Sequence, residues 1–212
     1  MPETQLEEPQ IITEYETMMY KRQGKTAYIM FNRPQALNAV NDQFEDDLHS
    51  ALLEFAVDDE AWVAIVHGAG RGFCAGADIK QRFVAMTPEQ SARREPGPNP
   101  EGYMGRAINW KPVIAAVHGY ALGAGIVIAV ESDMIVASED TRFGITETRR
   151  GLAAGRIWAK VSAFMPSKMA ITGEHIDASE LYRLGLINRL VPTGEHISAA
   201  EELAEKVLNR RP

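Results

Sequence analysis

Cysteine is almost missing from this chain, since Cys74 is the only one among 212 residues. A single cysteine cannot form a disulfide within the chain, and such sparse use is typical of a reducing compartment. We therefore expect a cytoplasmic protein. Cys74 lies between Phe73 and Ala75, with no cationic residue beside it, so the pattern predicts a small buried apolar residue rather than a nucleophile.

Three further absences narrow the function classes. The five histidines are scattered without the spacing of metal ligands, so we expect no metal site. The net charge of −7 argues against a basic surface for nucleic acid. The longest apolar stretch, 113–130, is interrupted by His118 and by glycines, whereas a membrane helix needs about 20 apolar residues. We therefore expect neither nucleic-acid binding nor a membrane span.

Apolar runs rich in β-branched residues alternate with helical patterns along the chain. Strands are predicted at 26–31, 62–67, 113–118 and 133–137. Because these runs are continuously apolar, we expect an α/β sheet that is covered on both faces.

Two helices and one loop are predicted with similar clarity. Asn41 is a suitable N-cap for a helix whose apolar positions are Phe44, Leu48, Leu52 and Phe55. The segment 201–210 predicts a last helix. The segment 86–105 combines prolines, charges and glycines without periodicity, so we expect a mobile surface loop there.

Two stretches of small residues each follow an apolar run, FCAGADIK at 73–80 and GYALGAG at 119–125. Small side chains let backbone N–H groups come close to a ligand. Two such loops that meet can direct two N–H donors at one oxygen, as an oxyanion hole does. The alternative is a pair of tight strand-to-helix turns whose glycines serve packing alone.

In this order the two stretches resemble the paired signatures of the crotonase superfamily, the enoyl-CoA hydratase/isomerase family. Three other segments resemble the same family: TAYIMFNRPQALNAV at 26–40, DMIVASEDTRFGITE at 133–147 and IDASELYRLGLINRLVP at 176–192. The resemblance runs from about Tyr15 to the C-terminus.

The resemblance implies an α/β fold built as a spiral of ββα units. We expect a mobile N-terminal tail at 1–14, the crotonase-like core at 15–192 and the start of a C-terminal helical region at 193–212. Family members usually continue for several dozen residues, so the C-terminal helical part is expected to be short or missing. Either the chain is incomplete or a neighbouring subunit closes the site. The family also implies a homotrimer or a hexamer.

The resemblance further implies chemistry on an acyl-CoA thioester, with coenzyme A entering as part of the substrate and no separate cofactor. The amides of Ala77 and Ala124 are the implied oxyanion donors, and Glu147 is the implied acid–base group. The implied substrate-binding positions are Ala36, Ala75, Gly76, Asp78, Ile79, Leu122, Gly123, Val127, Thr148 and Gly155.

Val127 departs from the family's hydratases, which carry a second catalytic glutamate at this position. Water addition is easiest when two carboxylates hold one water, whereas a lone Glu147 resembles the Δ3,Δ2-enoyl-CoA isomerases. Glu131, one helical turn beyond Val127, is expected to be structural, although it can face the same cavity. The reaction therefore stays open between double-bond isomerisation and hydration or dehydration. A catalytically weak binding or assembly subunit is the alternative.

Overall fold

The computed structural model describes residues 9–82, 103–104, 109–151, 155–163 and 165–210. Seven strands form the main sheet in the order β1-β2-β3-β4-β5-β7-β10. Their bounds are β1 Gln10–Glu14, β2 Met18–Gln23, β3 Thr26–Phe31, β4 Val63–Gly68, β5 Val113–Val117, β7 Met134–Ser138 and β10 Arg189–Val191. The pairs β1–β2 and β2–β3 are antiparallel, and every later pair is parallel.

A second sheet has three short strands in the order β6-β8-β9. Their bounds are β6 Tyr120–Leu122, β8 Arg142–Gly144 and β9 Ile176–Asp177. The helices are α1 Asp42–Val57, α2 Ile79–Arg82, α3 Ala124–Glu131, α4 Gly155–Val161, α5 Ser167–Thr172, α6 Ala178–Arg183 and α7 His196–Leu208. Within the described ranges, no helix is long and apolar enough to cross a membrane.

The four predicted strands are present, the first with the predicted bounds and the others within one residue of them. The Asn41 side chain accepts a hydrogen bond from the Phe44 N–H at 2.9 Å, which confirms the predicted N-cap. The last helix begins at His196, five residues before its predicted start. The predicted loop at 86–105 lies outside the described residues, apart from 103–104.

The expected tail at 1–14 is wrong for Gln10–Glu14, which form the edge strand β1. Its side chains are mostly exposed, so no apolar pattern signals it. Hydrogen bonds between side chains attach this edge of the sheet to α1. The Thr13 hydroxyl and the Tyr15 hydroxyl each donate to a Glu54 carboxylate oxygen at 2.6 Å.

The main sheet is covered on both faces, as its apolar strands predict. On one face, α1 buries Phe44, Leu48, Leu52 and Phe55 in a core that also includes the site loops. On the other face, α7 packs its alanines Ala199, Ala200 and Ala204 against Tyr28, Val63, Ile65, Ile114 and Val136. Because the neighbouring strands β4 and β5 are parallel, they end at the same edge of the sheet, where the two small-residue loops begin.

Candidate active site

The two small-residue loops lie side by side and are joined by backbone hydrogen bonds. The Phe73 N–H donates to the His118 carbonyl, and the Cys74 N–H donates to the Tyr120 carbonyl, both at 2.9 Å. The Leu122 N–H returns a bond of 2.9 Å to the Cys74 carbonyl. The meeting of the two loops is therefore confirmed.

Glycine is required where the loops come closest. Gly76 has a φ of +87°, and a Cβ at this position would lie 2.8 Å from the Leu122 carbonyl oxygen and 3.6 Å from the Gly123 Cα. A side chain would push the loops apart and would strain the backbone. The peptide units that follow Gly76 and Gly123 are consequently neighbours.

The direction of the Ala77 N–H follows from the bonds on either side of it. The Gly76 carbonyl accepts a hydrogen bond from the Val40 N–H, and the Asp78 N–H donates to the Val40 carbonyl, both at 2.8 Å. In a planar trans peptide, the N–H points opposite to the preceding carbonyl. The Ala77 N–H therefore points away from Val40, and no described residue accepts a hydrogen bond from it.

The direction of the Ala124 N–H follows in the same way. The Gly123 carbonyl accepts from the Ile126 N–H at 3.1 Å and from the Val127 N–H at 3.4 Å, so it points into α3. The Ala124 N–H accordingly points out of the N-terminus of α3, where helical N–H groups have no partner within the helix. It too donates to no acceptor within the described part of the chain.

The Glu147 carboxyl group lies directly against this helix terminus. Gly123 has a φ of +50°, and a Cβ there would collide with Glu147 Oε1 and lie 3.1 Å from Cδ. The other oxygen, Oε2, is buried and has no hydrogen-bond partner among the described residues. Burial raises the pKa of Glu147, and the nearby Arg150 charge opposes part of that rise. A group of this kind exchanges protons more readily near neutral pH than an exposed glutamate does.

The other expected site residues divide into two groups. Ala75, Gly76, Asp78 and Ile79 surround the Ala77 amide, and Leu122, Gly123 and Val127 surround the start of α3. Val127 is buried in the first turn of that helix. Three other positions lie outside both loops: Ala36 ends the 3₁₀ turn Pro34–Ala36, exposed Thr148 follows Glu147, and exposed Gly155 begins α4.

The Asp78 carboxylate is already engaged within the protein. It lies 3.0 Å from the Arg33 guanidinium, and both side chains are about nine-tenths buried. The same guanidinium donates to the Ala39 carbonyl. The other carboxylate oxygen accepts the Gln81 N–H at 3.3 Å, so both oxygens of Asp78 have partners within the protein.

Glu131 and Cys74 have the structural roles predicted from the sequence, and Asp133 has a role similar to that of Glu131. The Glu131 carboxylate accepts the Met104 N–H at 3.0 Å, and the Asp133 carboxylate accepts the Val113 N–H at 2.8 Å. Cys74 is fully buried, and burial raises the pKa of its thiol to about 12. Such a thiol stays protonated and packs like a small apolar residue.

Asn38 is a site-supporting residue that sequence reasoning missed. It is fully buried with a φ of +55°, and its Nδ2 donates to the carbonyls of Ala69 and Gly72 at 2.9 Å each. Its Oδ1 accepts the Arg33 N–H at 2.9 Å. A polar residue inside the apolar string ALNAV was the available signal, because a buried amide must find partners.

The chain matches the family model of enoyl-CoA hydratase/isomerase over residues 21–212. It is 34% identical over 205 residues to a short-chain-enoyl-CoA hydratase of Clostridium acetobutylicum, covering 94% of this chain and 78% of that protein. It is also 34% identical over 210 residues to a probable enoyl-CoA hydratase of Rhizobium meliloti, covering 91% of this chain and 76% of that protein.

The comparison with solved structures finds the same family. The crystal structure of an enoyl-CoA hydratase/isomerase from Mycobacterium paratuberculosis superposes with a TM-score of 0.82 at 33% identity. The match covers 94% of this chain and 79% of that one, and it confirms the expected crotonase-like α/β fold. The names of these relatives support an enzyme function of the enoyl-CoA hydratase class. The chain belongs to the enoyl-CoA hydratase/isomerase family.

Proposed function

We propose that the chain is an acyl-CoA enzyme that stabilises a thioester enolate with the amides of Ala77 and Ala124 and moves protons with Glu147. One observation carries the proposal: the Glu147 carboxyl group lies against Gly123, whose peptide unit supplies the Ala124 N–H. An acid–base group and an unused amide donor thus share one side of a helix terminus.

The two amides suit the charge that develops in such a reaction. When the carbon next to a thioester carbonyl loses a proton, negative charge moves onto the carbonyl oxygen. Fixed N–H donors stabilise this enolate more than the neutral thioester, and that difference accelerates the reaction. Because neither amide donates to a described residue, both can bind the substrate oxygen without breaking a hydrogen bond to that part of the chain.

Glu147 is proposed to transfer the proton. In double-bond isomerisation it takes a proton from C2 of a 3-enoyl thioester, and the electrons of that C–H bond form a dienolate. The same carboxyl group then returns the proton to C4, which leaves the double bond between C2 and C3. The raised pKa of Glu147 suits a group that must both accept and release a proton.

Val127 favours isomerisation over hydration within this proposal. Hydration requires a water held beside C3, and a buried valine in the first turn of α3 cannot hold or polarise it. The two relatives are named as a hydratase and a probable hydratase, and these names favour hydration instead. Both reactions use an enoyl-CoA substrate and place negative charge on the thioester oxygen, isomerisation in a dienolate and hydration in the enolate of a 3-hydroxyacyl thioester. The substrate class therefore does not depend on which reaction dominates.

A panel of 2-enoyl- and 3-enoyl-CoA thioesters of different chain lengths tests the proposal, with hydration and double-bond migration measured separately. We expect migration to exceed hydration. Glu147→Gln should lower turnover by about 10²–10⁴ while thioester binding persists, because the amide keeps the size but cannot ionise. Glu174→Gln, at an exposed glutamate, is the matched control. Unchanged turnover in Glu147→Gln, or no reaction with any thioester, contradicts the proposal.

A further inference from the structure

The segment 33–41, called the strap below, carries an unusual backbone beside the first loop. Leu37 and Asn38 have φ values of 49° and 55°, although neither is glycine. Positive φ is disfavoured for any L-residue that carries a side chain, and it is less favourable for leucine than for asparagine. Two such residues in succession persist only where surrounding contacts fix them, and such strain is concentrated at functional sites.

The Asn38 side chain supplies those fixing contacts. Its amide bonds the carbonyls of Ala69 and Gly72, which belong to the turn between β4 and the first loop. Its Oδ1 bonds the N–H of Arg33 at the start of the strap. The buried amide thus joins the strap to the turn through two hydrogen bonds, which span up to 34 residues, and holds the strap's own start through a third.

The strap in turn holds the loop around Ala77. The Leu37 carbonyl accepts the Ala75 N–H at 3.0 Å, and Val40 bonds both Gly76 and Asp78 at 2.8 Å. The ion pair between Arg33 and Asp78 also links the start of the strap to the residue that follows Ala77. The groups on both sides of the Ala77 N–H are therefore fixed by the strap, and its direction depends on where the strap lies.

We propose that Asn38 is a positioning residue that sets the direction of the Ala77 N–H through the strap. This inference rests on the proposed function, in which that amide binds the thioester oxygen. Asn38 is fully buried and acts through Val40, so it does not touch the substrate. Its loss should weaken stabilisation of the enolate more than binding of the thioester. The effect therefore belongs in kcat rather than in KM.

Asn38→Gly is the main test, because glycine keeps the left-handed backbone without strain and removes all three side-chain bonds. We expect kcat to fall about 10- to 100-fold, with KM changed less than about threefold, since displacement of a donor by about 1 Å has effects of this size. Asn188→Ala is the matched control. The Asn188 amide also bonds a backbone group, the Ile135 N–H at 2.7 Å, but it supports a strand rather than either loop.

A spectroscopic readout separates positioning from a loss of stability. Cinnamoyl-CoA absorbs at longer wavelength when donors polarise its thioester carbonyl. The probe is bound to Glu147→Gln, which cannot transfer a proton, with and without Asn38→Gly. We expect a red shift in the single variant and a smaller one in the double variant. Asn188→Ala in the same background should keep the full shift.

The outcomes distinguish the inference from the proposed function. A full red shift and unchanged kcat in Asn38→Gly overturn the positioning role and leave the proposed function intact. The absence of both a red shift and turnover in the protein with native Asn38 overturns both. If Asn38→Gly does not fold, Asn38→Asp carries the same test. It retains an acceptor for the Arg33 N–H and loses the two donors.

Discussion

The carboxyl group of Glu147 is partly buried, and its Oε2 has no hydrogen-bond partner among the described residues. Burial raises its pKa, so the folded chain binds this proton more tightly than the unfolded chain does. The contribution to stability is complete below the unfolded pKa and is lost as the pH rises through the folded pKa. The free energy of unfolding therefore falls as the pH rises through the folded pKa and the buried carboxyl group ionises.

Glu147→Gln should consequently melt at a higher temperature than the native chain at pH 7, although its turnover is lower. The difference should shrink as the pH is lowered towards 4, because protonation removes the buried charge of the native chain. Thermal unfolding followed by circular dichroism at both pH values measures this. Glu174→Gln serves as the control for adding an amide at an exposed position. An equal difference at pH 4 and pH 7 would count against a buried charge at Glu147.

Gly123 offers a second residue-scale prediction, because its backbone strain can be separated from its contact with Glu147. Gly123→Ala places a methyl group onto the carboxylate, whereas Gly24→Ala meets nothing within 4 Å at a nearly equal φ of +54°. Both should lose stability because φ is positive, and Gly123→Ala should lose more, since its ψ of −114° lies outside the αL region. Only Gly123→Ala should also displace the carboxyl group and lower kcat, by about 10-fold or more. Chemical unfolding and steady-state kinetics of both variants check this, and equal kinetics would refute the close contact.

At the scale of elements, Lys111 joins the segment before β5 to the end of α1. Its ammonium donates to the carbonyls of Phe55, Asp58 and Ala61 at 2.7–2.9 Å. Phe55 lies in the last turn of α1 and Asp58 is its C-cap, so the ammonium lies at the negative end of the helix dipole, where a cation is favourable. Lys111→Met keeps the length of the side chain but leaves the carbonyls without this donor.

Lys111→Met should therefore lower the free energy of unfolding by about 1–3 kcal/mol, because polar groups lose a charged partner. Equilibrium unfolding in urea measures this change in the free energy of unfolding. Lys168→Met, at an exposed lysine in α5, should change it by less than about 0.5 kcal/mol. Turnover per folded molecule should stay unchanged in both, since neither side chain contacts the loops. If Lys111→Met loses as little stability as Lys168→Met, the three hydrogen bonds of Lys111 contribute little to the free energy of unfolding.

The elements that the sequence predicted are those with a strong local signal. The four apolar strands and the Asn41 cap depend on neighbouring residues in the chain, and they were found within one residue. The edge strand β1 and the short strands β6, β8 and β9 were not predicted. They exist through pairing with distant segments and have little pattern of their own.

The same distinction holds within the site. Both small-residue loops carry a local signature, and the sequence predicted their meeting. Asn38 has only the weak signal of a polar residue in an apolar string. Its partners, the carbonyls of Ala69 and Gly72, are more than 30 residues away and are backbone groups that every residue has. The contact between Glu147 and Gly123 likewise depends on β6 lying beside β8, where the Gly123 N–H donates to the Gly144 carbonyl at 2.9 Å.

At the scale of the whole molecule, each of the two sheets positions a different part of the candidate site. The main sheet brings the ends of β4 and β5 together, and this sets the first and second loops side by side. The small sheet then pairs β6 with β8, and the chain that leaves β8 carries Glu147 back to the second loop. Proposed donors and acid–base group thus come from three separate parts of the chain, each fixed by strand pairing rather than by one flexible loop.

The surface of a single chain leaves large apolar side chains in water. Trp110 is 93% exposed, Val57 is 77% exposed and Ile171 is 76% exposed. Exposed apolar surface of this kind commonly marks contacts between subunits, and the family resemblance implies a homotrimer or a hexamer. We therefore expect sedimentation equilibrium at micromolar concentration to give three or six chains per particle. Trp110→Glu should weaken association if that side chain lies between subunits, and Ile171→Glu tests the second position. A stable monomer of the native chain would contradict the expected assembly.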